Sequence, residues 1–262
     1  MIESSIIKTL DILVLSCDMY NDVWDPFFQN YFQKWPDCPF RVNLVTNEME
    51  YAKYNVHSIK TGKYESWGKN ISRACSQLTG MYVLTIFEDL FFSMKIDTDR
   101  IVHLVNRFIT EDMNYLQLNY SSSHRPTLID NDNIGVVLKG TAYRSSAVMT
   151  LWKKSILQEL LISSENAWDF EVYGAERTNK HDKWFASVGY EMPFYNSIVK
   201  GKYHPQVIKK LKKDGIVFSN NRKVMNAREF AKYKLTILRS KIFKFLIPNR
   251  YRNQIRKRFG SF

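Results

Sequence analysis

The feature that most constrains the fold of this 262-residue chain is the apolar run Met81–Phe87, which Glu88 and Asp89 follow directly. The run reads MYVLTIF, and it shows no alternation between an apolar and a polar face. Continuous runs of branched and aromatic residues are typical of strands that are buried on both faces. We therefore expect an interior strand of an α/β sheet, with two acidic residues at its carboxyl end.

Strand and helix patterns alternate on either side of this run. The predicted elements, in chain order, are a strand at 11–16, a helix that begins at Pro26, strands at 40–46 and 56–59, a helix at 67–78, the strand at 81–87, a helix at 98–110, a strand at 114–118 and a helix at 147–161. This alternation predicts a Rossmann-like, mostly parallel central sheet with helices on both faces. Ligands of such sheets bind beyond the carboxyl ends of the strands. Ser16, Asp18, Glu88 and Asp89 are therefore expected to lie near one site.

Basic charge is concentrated near the end of the chain. The net charge is +12, and residues 232–262 contain ten basic residues and no acidic ones. We predict a nearly neutral catalytic domain at 1–231 and a basic amphipathic helical tail at 232–262. Leu235, Leu238 and Ile242 share a helical face, a pattern typical of helices that lie on an anionic membrane surface. The alternative is a helix that packs on the domain while its charges are solvated.

Cysteine usage and hydropathy indicate a compartment. The three cysteines have no CxxC spacing, which favours free thiols in a reducing environment. No apolar run is long enough to span a bilayer, and the first residues lack the pattern of a secretory signal. We expect a cytoplasmic protein that is held peripherally at the inner face of the plasma membrane.

Adjacent carboxylates after a buried strand need a physical reason, because their charges repel each other. A divalent cation supplies one, since Mg²⁺ or Mn²⁺ is typically held by one or two carboxylates together with substrate phosphates and water. Glu88 and Asp89 are therefore candidate ligands. A solvated turn or a helix start is the alternative interpretation of the same dipeptide.

Two further segments carry candidate chemistry. Ser66, Lys69 and Asn70 offer donors near a predicted helix N-terminus, which is a natural anion site, although the same residues also suit an ordinary helix cap. Residues 168–171 read WDFE, so a carboxylate there could act as a general base beside Trp168, which could stack on a sugar ring. The alternative is that the aromatic residues pack in the core and the acids are solvated.

In this order, these stretches resemble the GT-A glycosyltransferases, in particular those of bacterial capsule and lipopolysaccharide assembly. The stretches that carry the resemblance are 16–18 with 23–28, 35–40 with Thr46-Asn47, 66–70, 82–92 and 168–171. Together they cover most of residues 10–200. The resemblance implies a GT-A-like fold and a donor that is a nucleoside diphosphate sugar.

The resemblance also implies roles for individual residues. The implied contacts with the nucleotide sugar are Ser16, Asp18, Thr46, Asn47, Trp67, Lys69, Asn70, Glu88 and Trp168. Asp89 would take the metal position of the family's Asp-x-Asp motif, with Mg²⁺ or Mn²⁺ as the ion. The motif here is Glu-Asp, so one acid or neither holds the metal. Glu171, or failing it Asp169, would be the catalytic base.

We therefore expect transfer of a sugar to a hydroxyl of a glycan or lipid-linked acceptor in surface polysaccharide synthesis. Inversion is the expected stereochemical outcome, and retention is the alternative, because no residue pattern in the sequence fixes the stereochemistry. One rival is a nucleic-acid-binding protein that uses the basic tail. It is disfavoured because the rest of the chain is nearly neutral and has no recognisable nucleic-acid module, so no nucleic-acid partner is expected. The sequence is also compatible with a non-catalytic GT-A-like glycan-binding protein and with a nucleotidyltransferase, which would release pyrophosphate.

Overall fold

The computed structural model describes residues 8–121, 123–124 and 126–246. The strands, in chain order, are β1 (Leu10–Leu15), β2 (Arg41–Thr46), β3 (His57–Lys60), β4 (Tyr82–Phe87), β5 (Leu90–Phe92), β6 (Tyr115–Gln117), β7 (Thr127–Leu128), β8 (Ile134–Val136), β9 (Thr150–Lys153), β10 (Trp184–Ser187), β11 (Phe194–Asn196), β12 (Ile198–Val199) and β13 (Lys202–Tyr203). The helices are α1 (Asn21–Lys34), α2 (Trp67–Gln77), α3 (Thr98–Thr110), α4 (Lys154–Leu160), α5 (Ala167–Arg177), α6 (Pro205–Lys213) and α7 (Ala227–Leu246).

Nine of these strands form the central sheet, in the order β3-β2-β1-β4-β9-β6-β10-β8-β7. Strands β3, β2, β1 and β4 are parallel, and β6 is parallel to β10. Only β8 and β9 run against the others within this sheet. The prediction of a mostly parallel sheet is confirmed. The carboxyl ends of β1, β2, β3 and β4 consequently meet at one edge, which is the edge that binds ligands in such sheets.

Two apolar layers cover the sheet, one on each face. Ile12 and Val14 of β1 point into the layer that contains α1, α3 and α6, whereas Leu13 and Leu15 point into the layer that contains α2, α4 and α5. Strand β4 is covered in the same way on both faces. This double burial explains why the run at 81–87 shows no polar face.

The second half of the sheet differs from the prediction. A helix was expected at 147–161, but residues 150–153 form β9 and the helix α4 begins only at Lys154. Strand β9 is inserted antiparallel between β4 and β6, where Thr150 is paired with both Thr85 and Gln117. Trp152 is fully buried there, and its indole N–H donates to the Thr85 hydroxyl at 3.2 Å. Pairing on both sides outweighs the local helical pattern.

One other local prediction is corrected. Helix α1 begins at Asn21 after a short 3-10 turn, so Pro26 lies inside the helix and does not open it. The earlier start buries Val23 and Trp24.

The C-terminal helix begins earlier than the predicted tail. The predicted boundary between residues 231 and 232 falls inside α7, and residues 247–262 lie outside the described residues. The first turns of α7 contact the domain through Phe230 and Tyr233, whose rings lie edge-on against His204 at 5.1 and 5.6 Å. In the described part of the chain, no helix has the length and apolar character needed to cross a bilayer.

Gly68 allows the start of α2 to approach the loop before α5. A Cβ atom at Gly68 would lie 2.1 Å from the carbonyl oxygen of Ile162 and 3.2 Å from that of Glu165. We expect Gly68→Ala to destabilise the protein by about 1–3 kcal/mol, because both obstacles are backbone atoms that must move. Urea unfolding measures the change. Gly189→Ala is the control, since its Cβ would meet its nearest neighbour at 3.5 Å and should cost less than about 0.5 kcal/mol. Equal losses in both variants would contradict the packing described here.

Candidate active site

The central feature of the candidate site is the carboxylate pair at the end of β4. Glu88 is only 6% exposed, and Asp89 is partly buried. Burial, followed by the charge of Asp89, raises the pKa of Glu88 well above its ordinary value. Burial also raises the pKa of Asp89. The two raised pKa values mean that the surrounding protein does not fully compensate the two negative charges.

Arg222 supplies the positive charge that lies near this pair. Its guanidinium lowers the pKa of both Glu88 and Asp89, although burial has the larger effect. The same guanidinium donates to both carboxylate oxygens of Asp22, at 2.7 and 2.9 Å, and lies over the ring of Tyr20 at 4.5 Å. Because Arg222 already pairs with Asp22, little of the Arg222 charge is left to neutralise Glu88 and Asp89. The sequence analysis did not identify Arg222, which carries no local motif.

The loop after β1 lies beside the pair. The hydroxyl of Ser16 accepts a hydrogen bond from the indole N–H of Trp24 at 2.8 Å, and Ser16 lies close enough to Glu88 to lower the pKa of that carboxyl, although burial has the larger effect. Burial raises the pKa of the Cys17 thiol, and the nearby negative charge of Glu88 raises it further. The structure therefore brings Ser16 and Glu88 together, as their positions after adjacent strands predict.

Asp18 joins the loops that follow β1 and β2. Its carboxylate accepts hydrogen bonds from the backbone N–H groups of Asn47, Glu48 and Met49 at 2.8, 2.9 and 3.1 Å. In return, the backbone N–H of Asp18 donates to the side-chain carbonyl of Asn47 at 3.1 Å. These four bonds fix the two loops relative to each other. The predicted contact of Asp18 and Asn47 with a nucleotide stays a prediction.

Two other predicted residues carry buried polar atoms without a partner in the described structure. The unpartnered atoms are the hydroxyl of Thr46 and both polar atoms of the Asn70 amide. Asn70 is buried in the first turn of α2. Buried polar groups are normally hydrogen-bonded, so each such atom calls for water or a ligand. Thr46 is the last residue of β2, and Asn70 lies in the first turn of α2. Both residues are therefore at the ligand-binding edge of the sheet.

The start of α2 is built as the sequence indicates. The Ser66 hydroxyl accepts from the backbone N–H of Lys69 at 3.2 Å, so the predicted N-cap is confirmed. The ammonium of Lys69 pairs with Glu65 on the surface. Trp67 packs against Phe170 of α5 with ring centroids 5.3 Å apart. This contact places the starts of α2 and α5 side by side.

The two candidate bases on α5 have different environments. Ser146 donates a hydrogen bond to the Glu171 carboxylate at 2.7 Å. Burial raises the Glu171 pKa, although Ser146 and the backbone of Ala147 lower it in part. Asp169 instead forms a capping box with Asn166 at the start of the helix. Trp168 is 72% exposed and free to contact a ligand from solvent. Because Ser146 precedes the antiparallel strand β9, Glu171 lies at the same sheet edge as the end of β4.

The residues present fit a divalent cation only in part. Among the residues that the structure describes, no group of three or more His, Cys, Asp and Glu side chains is arranged as a metal site. Glu88 and Asp89 nevertheless provide two incompletely compensated carboxylates, a set to which Mg²⁺ or Mn²⁺ binds when substrate phosphates complete its shell. His204 does not contribute, since its ring accepts from the backbone N–H of Val207 and caps α6.

Comparisons with known proteins identify the fold. The chain is similar to a UTP-bound UGPase from Acinetobacter baumannii, with a TM-score of 0.51 and 8% identity over 88% of this chain and 98% of that chain. It is also similar to a cytidylyltransferase from Leptospira borgpetersenii, with a TM-score of 0.48 and 13% identity over 83% of this chain and 99% of that one. A third similar structure is S. aureus TarS 1-349 in complex with UDP-GlcNAc, with a TM-score of 0.48 and 12% identity over 93% of this chain and 77% of that chain.

No protein-family model and no curated protein matches the sequence. The UGPase similarity extends over nearly the whole of both chains, so the predicted GT-A-like, Rossmann-like fold is confirmed. At 8% identity it establishes the fold alone.

The raised pKa of Glu88 has a measurable consequence for stability. The unfolded chain loses the Glu88 proton near the ordinary value of 4.5, whereas the folded protein holds it to a higher pH, so this group lowers stability as pH rises through that interval. We expect Glu88→Gln to raise the Tm in EDTA at pH 8, by about 2–4 °C for each kcal/mol of relieved charge. The gain should shrink towards zero near pH 4.

The matched control is Glu48→Gln, because Glu48 is exposed and contributes to the structure through its backbone. Its Tm should follow that of the unsubstituted protein at every pH. A Glu88→Gln gain that does not depend on pH would show that packing, and not charge, is responsible.

Proposed function

We propose that this protein is a glycosyltransferase that moves a sugar from a nucleoside diphosphate sugar to a hydroxyl of a glycan or lipid-linked acceptor, in the synthesis of a surface polysaccharide. The observation that carries the proposal is the buried carboxylate pair Glu88–Asp89 at the ligand-binding edge of a GT-A-like sheet. Two incompletely compensated carboxylates at this edge suit a cation that in turn holds a diphosphate.

The donor would bind across the ends of β1, β2 and β4. Asp89 and Glu88 would hold Mg²⁺ or Mn²⁺, which neutralises the charge that develops on a departing diphosphate. Asp18 holds the loops after β1 and β2 in one arrangement, and the unpartnered polar atoms of Thr46 and Asn70 are available to the nucleotide sugar. The UGPase of the same fold binds UTP, which supports a nucleotide as the ligand.

Glu171 is the group best suited to take the proton from the acceptor hydroxyl. A general base works best when its pKa lies near the working pH, and burial raises the pKa of Glu171 in that direction. The hydrogen bond from Ser146 fixes the orientation of its carboxylate. Attack from the face opposite the diphosphate gives inversion of the anomeric centre.

Nucleotide binding tests the donor site. We expect UDP with Mn²⁺ to raise the Tm of the protein, and Asp89→Asn to weaken the apparent affinity by at least about tenfold, which corresponds to about 1.4 kcal/mol. The control is Asp37→Asn, since Asp37 is exposed and precedes β2, at the opposite edge of the sheet. A panel of nucleoside diphosphates identifies the base. Equal affinities for both variants would remove Asp89 from the site.

A second pair of variants tests the base. We expect Glu171→Gln to lower the transfer rate by about 10²–10⁴-fold while nucleotide affinity is unchanged, because the carboxylate acts on the acceptor alone. Asp169→Asn should retain most of the transfer rate, since Asn also suits a position in a helix cap. Release of nucleoside diphosphate from a nucleotide sugar, with and without acceptor glycan, measures both rates. The reverse ranking of the two variants would make Asp169 the base.

A nucleotidyltransferase is the second candidate, and the similarity to UGPase over 98% of that chain favours it. Such an enzyme would consume a nucleoside triphosphate and a sugar phosphate and would release pyrophosphate. A pyrophosphate assay with UTP and common sugar 1-phosphates separates the two reactions. Pyrophosphate release that depends on Asp89 would replace the glycosyltransferase proposal, and nucleotide binding without either reaction would favour a non-catalytic binding protein.

A further inference from the structure

A groove of about 350 Å³ lies between the β12–β13 hairpin and the start of α7. Its apolar lining comes from Val199, Met225 and Tyr233, and the exposed Thr236 lies at its α7 side. A groove of this size and lining suits a hydrocarbon segment.

Lysines surround this groove. The lining includes Lys200, Lys202 and Lys232 together with one acid, Glu229, which pairs with Lys202. Lys200 and Lys232 are exposed, and within the described residues neither has an ion-pair partner. The groove therefore combines an apolar floor with two uncompensated ammonium groups, a combination that favours an amphipathic anion over a neutral lipid.

A second groove extends from this region to Arg222. It has a volume of about 430 Å³ and shares Lys200 and Lys202 with the first groove. It also contains Lys223 and Arg222, and Arg222 is the residue whose charge acts on Glu88 and Asp89. A basic surface thus extends from the apolar groove to Arg222, whose partner Asp22 is the acid of this second groove.

The outward face of α7 indicates where the ligand comes from. Leu235, Leu238 and Ile242 share the spacing of one helical face, and each is between 46% and 54% exposed. Phe230 and Tyr233, which contact His204, lie on the other side of the helix. Lys234 and Arg239 are exposed beside the apolar face. An apolar stripe flanked by cations is the surface that an anionic bilayer binds.

We propose that the groove between the β12–β13 hairpin and α7 binds a lipid phosphate, which it takes from an anionic bilayer on which the outward face of α7 lies. The hydrocarbon occupies the apolar groove and the phosphate contacts Lys200 and Lys232. The phosphate end then points along the basic surface towards Arg222. If the proposed glycosyl transfer is correct, this lipid phosphate is the anchor of a lipid-linked acceptor, and a glycan attached to the phosphate carries the hydroxyl that receives the sugar; binding itself does not depend on that reaction.

Vesicle sedimentation of the full chain tests the proposal. The probes are vesicles of phosphatidylcholine alone and of equal parts phosphatidylcholine and phosphatidic acid. We expect binding to the second kind only. Thr236→Trp fills the groove and should weaken binding at least about tenfold, the loss expected when about 1.4 kcal/mol of contact is removed. Leu238→Trp is the matched control on the same helix, and it should bind at least as tightly as the unsubstituted protein.

Two further measurements separate the possible failures. Inorganic phosphate should not displace the protein from the vesicles, because it lacks the hydrocarbon; displacement would show that the lysines bind free phosphate and would overturn the proposal. Equal vesicle binding by the Thr236→Trp and Leu238→Trp variants would also overturn the proposal. So would a protein that forms dimers through α7 and does not bind the vesicles. The Thr236→Trp variant should bind UDP as tightly as the unsubstituted protein does. This control distinguishes loss of the lipid site from damage to the donor site.

Discussion

The burial of two adjacent carboxylates at the end of β4 is the constraint on which the account depends. Taking charge out of water costs free energy unless an opposite charge or hydrogen bonds compensate it. Here the compensation is partial, because burial raises the Glu88 pKa by more than Ser16 and Arg222 lower it, and Arg222 is held by Asp22. Stability alone gives no reason to retain this pair, since apolar residues would fill the same space at lower cost. A bound cation that carries a diphosphate gives such a reason.

The topology of the sheet places this pair at the edge where ligands bind. Parallel strands β1, β2 and β4 bring the loops with Ser16, Asp18 and Asn47 to one edge, and the four hydrogen bonds between the loops fix their arrangement. The antiparallel strand β9 then carries Ser146 to the same edge, where it orients Glu171. One strand reversal thus brings a third carboxylate, that of Glu171, to the edge that already contains the Glu88–Asp89 pair.

The sequence could predict the elements whose signals are local. The doubly buried strand β4, the helix at Thr98–Thr110 and the cap at Ser66 all follow from patterns within a few residues. Strand β9 could not be predicted in this way, because pairing with β4 and β6 decides its conformation. For the candidate site, Glu88 and Glu171 stood out as acids beside apolar segments, whereas Arg222 reaches the site only through tertiary folding.

The most direct test of the account is the location of a bound cation. Crystals of the protein grown with UDP and Mn²⁺, measured at a wavelength where manganese scatters anomalously, show the ion without reference to activity. The account predicts an anomalous peak in contact with the Asp89 carboxylate and with the phosphates of UDP. Bound UDP without a peak there, or a manganese ion at another place in the fold, would contradict the role assigned to the carboxylate pair.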